Sequence, residues 1–315
     1  MKVLSLVTTR DPFYDDQVRV LERNGVSVTT VTIPSNCPRS LSDYGRFAPT
    51  VLREALSSYD LVHANYGLTA PFALAQPRRP VVLILWGSDL LGEYSWVSER
   101  CARYCDAVVV MTREMARRLD VSAHVVPHGV DLDRFSPADQ AGAQRAVGWD
   151  SERAHVLFPY SPSRDVKNYP RARRVVDRAR SRVDERLELH VVDDADHDEM
   201  PRYMNAADVL LFTSEREGSP NVGKEALACN LPVVATDVGD VRRRLRDVES
   251  AAVSTDDDEL VDALVATLRT DRRPDGRAAV RDVSLARMGE RLLDVYESVL
   301  VGEPATASEP PLRAR

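Results

Sequence analysis

Short apolar runs alternate with amphipathic stretches along most of the chain. Residues 2–7, 26–33, 60–63, 81–85 and 106–111 are rich in apolar or β-branched residues and too short for core helices, so they read as buried strands. Between them, 14–24, 46–58, 94–104 and 113–119 carry helical periodicity. The alternation pauses at Pro127-His128-Gly129-Val130-Asp131, a turn-rich stretch without period. It then resumes with strands expected at 154–159, 186–192, 208–212 and 232–235 and helices near 168–180, 198–207 and 220–229. Strands alternating with helices imply a parallel sheet covered on both faces. The pattern therefore predicts two such halves, 1–129 and 130–283. A terminal helix over 284–300 follows, with Met288, Leu292, Leu293, Val295 and Tyr296 on one apolar stripe, and 301–315 reads as a disordered tail.

The chain has 315 residues, 43% hydrophobic and 29% charged, enough for two cores. No apolar run approaches the ~18 residues a membrane span needs. The opening Met1-Lys2-Val3-Leu4-Ser5-Leu6-Val7 reads as a strand rather than a signal peptide, so a cytoplasmic protein is expected. Cys37, Cys101, Cys105 and Cys229 are scattered without a paired framework, in keeping with a reducing compartment. A net charge of −7 argues against nucleic acid as the main partner. Lys2, Lys167 and Lys224 are the only lysines among 42 basic residues. That bias, with acidic stretches such as Asp256-Asp257-Asp258-Glu259, fits either genomic composition or a high-salt cytoplasm.

The densest chemical signal runs from Thr213 to Leu227, after the strand Val209-Leu210-Leu211-Phe212. Ser219 suits an N-cap and Pro220 the first helical position. The N–H groups of Asn221 and Val222 would then point from the carboxyl end of the sheet, where α/β folds bind phosphates. Glu217 precedes the cap, and Glu225 lies farther along the helix. Carboxylates accept paired hydrogen bonds from vicinal hydroxyls, so this spacing suits a donor with a sugar at either end of its phosphates.

These residues carry a resemblance. Glu217 and Glu225 with seven residues between them, together with Gly218, Pro220 and Glu225-Ala226-Leu227-Ala228, resemble the signature of glycosyltransferase family 4. The likeness continues in Leu231-Pro232-Val233-Val234-Ala235-Thr236-Asp237-Val238-Gly239, in Tyr203-Met204-Asn205-Ala206-Ala207-Asp208, in Pro127 through Phe135, and in Trp86-Gly87-Ser88-Asp89. It implies the α/β GT-B fold, two Rossmann-like parallel-sheet domains facing a central cleft. Residues 1–129 would take the acceptor and 130–283 the nucleotide-sugar, with the terminal helix crossing back toward the first domain.

The resemblance further implies a retaining transferase that moves a sugar from a nucleotide-diphosphate donor to a hydroxyl. Glu217 would hold the transferred sugar and Glu225 the ribose, beside Gly218, Ser219, Pro220, Asn221 and Val222. Arg164 and Lys167 would neutralise the leaving diphosphate. His63, expected at a strand end facing the cleft, and Asp89 are the acceptor-side candidates. Trp86 stands where many members carry a histidine, and Thr8-Thr9-Arg10-Asp11-Pro12 replaces the usual glycine-rich loop, with Arg10 a candidate anion contact. No cofactor and no metal are expected, Asp131-Leu132-Asp133 and Asp194-Ala195-Asp196 being read as loop carboxylates. A lipid-linked or growing glycan is the expected acceptor, met at the inner membrane surface through weak, salt-sensitive contact of the Arg171–Arg174 and Arg242–Arg246 faces. A sugar-nucleotide epimerase and a weakly active nucleotide-sugar-binding partner remain as alternatives.

Overall fold

A computed structural model describes residues 1–34, 40–184, 186–249, 251–270 and 273–302. The apolar runs of the first 125 residues form β1 (Lys2–Val7), β2 (Ser27–Thr32), β3 (Leu61–Asn65), β4 (Val81–Leu85) and β5 (Ala107–Val110), and a two-residue β6 (His124–Val125) follows. The stretches between them form α1 (Pro12–Arg23), α2 (Leu41–Glu54), α3 (Ala70–Ala75), α4 (Ser88–Leu91), α5 (Ser95–Ala102) and α6 (Arg113–Arg118). All strand pairings are parallel, in the order β2-β1-β3-β4-β5-β6. Helix starts follow local chemistry. Asp11 accepts from Tyr14 N at 2.8 Å ahead of Pro12, and Thr112 accepts from Met115 N at 3.2 Å, each satisfying an otherwise unpaired donor.

The second half repeats the plan. After α7 (Gln140–Val147) come β7 (Arg153–Phe158), α8 (Tyr169–Ala179), β8 (Arg186–Val191), α9 (Met200–Ala206), β9 (Val209–Phe212) and α10 (Asn221–Ala228). β10 (Val233–Ala235), α11 (Val241–Leu245), β11 (Ala252–Val253) and α12 (Asp257–Leu268) complete it. The sheet is parallel, ordered β11-β10-β9-β7-β8. Its strands are buried on both faces: Leu157, Leu210 and Phe212 enter one apolar cluster, and Val156, Phe158, Val209 and Leu211 the opposite one. Chain order reverses between β7 and β9, so the loops leaving their carboxyl ends diverge and open a crevice.

Two compact units result: Met1–His128 together with the chain from Leu285, and Gly129–Ser284. The last helix, α13 (Leu285–Val301), belongs to the first unit and buries Met288, Leu292, Val295 and Tyr296 in its core. Gly289 permits the approach, since a Cβ there would lie 2.6 Å from Val20 Cγ2. Two-residue β6 and β11, and helix α7, escaped the sequence reading. The tail beyond Gly302 and Cys37 lie outside the described residues. Among the described residues no helix is long and apolar enough to cross a membrane.

Candidate functional site

In the second unit, several charged side chains meet where the loops after β7 and β9 lie side by side. The loop after β7 runs through Tyr160 to a tight turn at Asp165–Lys167, then to Asn168 in the left-handed region at φ 51°. Asn168 caps α8 by accepting from Arg171 N at 3.1 Å. The loop after β9 is laced to it. Glu215 N donates to Val166 O at 2.9 Å, Thr213 Oγ1 donates to Lys167 O at 3.0 Å, and Asn168 Nδ2 donates to Glu215 Oε1 at 3.1 Å.

Lys167 and Glu217 meet across these loops in an ion pair, Nζ donating to Oε1. The lysine Nζ also sits 3.9 Å from the centroid of the Tyr160 ring, over which Arg164 Cζ lies at 5.8 Å. Burial pulls the Lys167 pKa down, while Glu217 opposes the shift. Of the two bases expected to neutralise the diphosphate, Lys167 is only 5% exposed, whereas Arg164 is exposed. Glu215, beside Glu217 in sequence, is spent on Asn168.

The helix following the Glu217 loop begins one residue later than expected. Pro220 is the N-cap, with no side-chain cap, and α10 starts at Asn221. Ser219 is therefore not the cap. Its hydroxyl donates to Asp240 Oδ2 at 3.1 Å and accepts from Lys224 Nζ at 3.2 Å. The first amides of α10, Asn221 and Val222, thus receive no side-chain acceptor, the arrangement that favours an anion. Gly218 is held by its carbonyl, which accepts from Asp240 N at 3.2 Å. Gly239 makes that contact possible. It has φ +55°, and a Cβ there would lie 2.0 Å from Gly218 O.

Glu225 is 6% exposed and is held by a partner the sequence did not reveal. His197 Nε2 lies 2.9 Å from Glu225 Oε1, and Arg134 Nη1 lies 2.9 Å from His197 Nδ1. Arginine only donates, so Nδ1 is the acceptor and Nε2–H donates to the carboxylate. The one sequence signal for His197 was its position past the carboxyl end of β8. Lys224, also unassigned from sequence, is 2% exposed and pushed down to about 8 by burial, with Asp240 opposing. Asp240 in turn accepts from Arg244 Nε at 3.2 Å.

In the first unit the acceptor-side candidates behave differently. His63 is inside β3 rather than at its end, 1% exposed, with Tyr296 OH 2.8 Å from its Nδ1 in a hydrogen bond. Burial drops its pKa to about 3. It is a core histidine, and the expectation that it lines a site is corrected. Asp89 is 4% exposed, and its oxygens accept from Trp86 N at 2.8 Å, Gly87 N at 2.9 Å and Gly67 N at 3.2 Å. Burial lifts it to about 6 against those bonds. Asp89 therefore organises the loops after β3 and β4 instead of facing solvent. Trp86 Nε1 donates to Asn65 Oδ1 at 2.8 Å, and its ring lies 5.3 Å from His128. Arg10 is paired with Asp15 at 2.6 Å.

The arginine-rich faces are neutralised locally. Arg171 and Arg174 reach Asp257 at 2.6 and 3.5 Å, and Arg178 pairs with Asp258. Arg242 meets Asp237 at 2.7 Å, and Arg243 meets Asp240 at 3.3 Å. The acidic first turn of α12 lies against the first cluster, while Arg174, Arg242 and Arg243 keep side-chain exposures of 58%, 58% and 49%. Asp131 accepts from the amides of Asp133 and Arg134 at 3.0 and 3.1 Å, a loop-shaping role.

Comparison with known proteins gives a consistent picture. The model described as "Glycosyltransferase Family 4" matches residues 3–134, and that described as "Glycosyl transferases group 1" matches residues 168–270. The D-inositol 3-phosphate glycosyltransferase of Geodermatophilus obscurus is 30% identical over 267 residues, covering 64% of this chain. The chain spans 58% of that relative's length. Among solved structures, sucrose-phosphate synthase from Thermosynechococcus elongatus superposes with TM-score 0.73 at 16% identity, covering 96% of this chain and all of the other. Anabaena Alr3699/HepE, solved in complex with UDP and glucose, gives TM-score 0.72 at 16% identity, covering 95% of this chain and all of that one. These structural likenesses establish a shared GT-B fold.

Proposed function

The chain belongs to glycosyltransferase family 4, and on that premise we propose that it transfers a sugar, with retention, from a nucleotide-diphosphate donor to a hydroxyl acceptor. The observation that carries the reading is convergence at one crevice. Lys167 with Glu217, Arg164 and the uncapped start of α10 lie where the loops after β7 and β9 diverge, and Glu225 lies one turn into the helix. Diphosphate charge suits the two bases and the α10 amides; a ribose suits Glu225, whose Oε2 is left uncommitted by His197.

In the transfer, the bond from the sugar C1 to the diphosphate oxygen breaks as the acceptor oxygen attacks C1. The acceptor proton passes to the departing phosphate, and the nucleotide diphosphate leaves. Charge grows on that phosphate through an oxocarbenium-like state. Arg164, Lys167 and the α10 amides stabilise it, so this step needs no metal. Glu217 is assigned to the hydroxyls of the transferred sugar, and its own bond to Lys167 fixes its rotamer before the donor arrives. Gly218, Ser219 and Pro220 shape the backbone there, and acceptor recognition is assigned to the first unit.

UDP-sugars are the first donors to try, because HepE was solved with UDP and with UDP-glucose. An inositol phosphate joins lipid-linked and free glycans among acceptor candidates through the D-inositol 3-phosphate glycosyltransferase relatives. The test incubates the protein with UDP-, GDP- and ADP-sugars, with and without each acceptor, and follows product by mass spectrometry. Acceptor-dependent release of nucleotide diphosphate with a new glycoside supports transfer. Conversion of the donor sugar without any acceptor would replace the proposal by epimerisation.

A further inference from the structure

A second cluster of ligating side chains lies in the same unit, away from the donor crevice. His155 on β7 pairs in register with Glu188 on β8, and His190 lies two residues beyond Glu188, so all three share one face of the sheet. One ligand atom from each lies within 4.8 Å of the others. His155 stands near the amino end of its strand. Five residues separate it from Tyr160, about 16 Å at ~3.3 Å per residue. The donor site does not use these side chains.

The hydrogen bonds fix the chemistry of the buried histidine. His155 Nε2 lies 2.9 Å from the Asp150 carbonyl oxygen, which only accepts, so Nε2 carries the proton. Nδ1 therefore presents a lone pair, and it faces His190 Nε2 at 2.8 Å. A ring N–H tied to a carbonyl while the other nitrogen points into a shared space is the support that metal-binding histidines use. The Trp149 ring stacks on His190, centroids 3.7 Å apart and planes 16° from parallel, setting the plane of that imidazole. Glu188 gives Oε1 to Arg153, and its Oε2 stands 3.5 Å from His190 Nε2.

We infer that His155 Nδ1, His190 Nε2 and Glu188 Oε2 form a binding site for a borderline divalent transition metal, with Zn²⁺ as the reference ion. Bonds of ~2.0–2.1 Å in a tetrahedral set place neighbouring ligand atoms about 3.3 Å apart. The Glu188–His190 spacing meets that value, and the two imidazoles need to part by about half an ångström. His190 keeps a single ring proton, which moves from Nε2 to Nδ1 when Nε2 takes the metal. Two nitrogens and one oxygen suit zinc, nickel or copper rather than calcium or magnesium. Water would complete the set from the side on which His190 and Glu188 are partly exposed, their side chains at 19% and 34%. The metal would tie β8, the edge strand, to β7.

The experiment uses untagged full-length protein, stripped with chelator, loaded with Zn²⁺ and dialysed, with bound metal counted by mass spectrometry. Cu²⁺ quenching of Trp149 fluorescence is read in parallel. One zinc per chain is expected, with affinity falling at least ~100-fold in His190→Gln, more than a supporting second-shell group is worth. Glu188→Gln should weaken binding as well. Trp149→Phe should lose most of the quench and keep the zinc, and His197→Gln should keep both. Zinc retained equally by wild type and His190→Gln, or by neither, would overturn the site and leave a simple histidine–histidine hydrogen bond.

Discussion

Replacing Lys224 with methionine should stabilise the second unit. Lys224 sits in α10 at 2% exposure, and burial pushes it from 10.5 down to about 8. Between those values the unfolded chain binds the lysine proton and the folded chain does not, so stability rises with pH through that window. Below pH 8 both states are protonated and the desolvation penalty is fully present; near 10.5 it has almost vanished. At ~1.36 kcal/mol per pK unit the penalty is about 3 kcal/mol. Methionine carries no charge and fills similar volume, while Asp240 retains Arg244 at 3.2 Å and Arg243 at 3.3 Å. Urea denaturation of both proteins from pH 7 to 10.5 reads the difference directly. Lys224→Met should be the more stable at pH 7, and the gap should shrink by about 3 kcal/mol as pH rises. Parallel stability curves, or a gap that widens with pH, would refute the reading that this lysine is held charged in an apolar setting.

Three further substitutions probe the crevice. Lys167→Ala should lower stability by about 3 kcal/mol, since it strands the Glu217 carboxylate, and should lower turnover at least ~100-fold through lost phosphate stabilisation; thermal melts and initial rates check each part. Glu217→Gln should lower turnover more than affinity for the nucleotide diphosphate, which kcat and calorimetry separate. Gly239→Ala should lose more than about 2 kcal/mol of stability, because a left-handed alanine would also place its Cβ 2.0 Å from Gly218 O. A Gly239→Ala protein with wild-type melting would mean the 217–219 loop can move away without loss.

The architecture was legible because parallel strands buried on both faces are written as unbroken apolar runs, such as Val81–Leu85. Two-residue β6 and β11 carry no such run. Lys167 reads as a surface base in any linear inspection, since its burial depends on Tyr160 and on Glu217, 50 residues away. His63 was mistaken because its partner, Tyr296, lies 233 residues on. Ser219 looks like a cap by local propensity, yet Lys224 and Asp240 claim its hydroxyl. The motif carboxylates Glu217 and Glu225 could be picked out because their spacing lies within one loop and one helix. The groups that hold Glu225, His197 and behind it Arg134, come from other loops, and their meeting cannot be read from spacing along the chain.

In the proposed function, the β7/β9 crevice binds a nucleotide diphosphate with Glu225 on the ribose. Calorimetry of UDP, GDP and ADP against wild type and Glu225→Ala tests it most directly, with melting curves to verify folding. One nucleotide should bind the wild type clearly, and Glu225→Ala should bind it about 10- to 150-fold more weakly, the equivalent of ~1.5–3 kcal/mol for hydrogen bonds to a charged acceptor. Equal affinity in a folded Glu225→Ala protein, or no binding of any of the three by wild type, would contradict the claim.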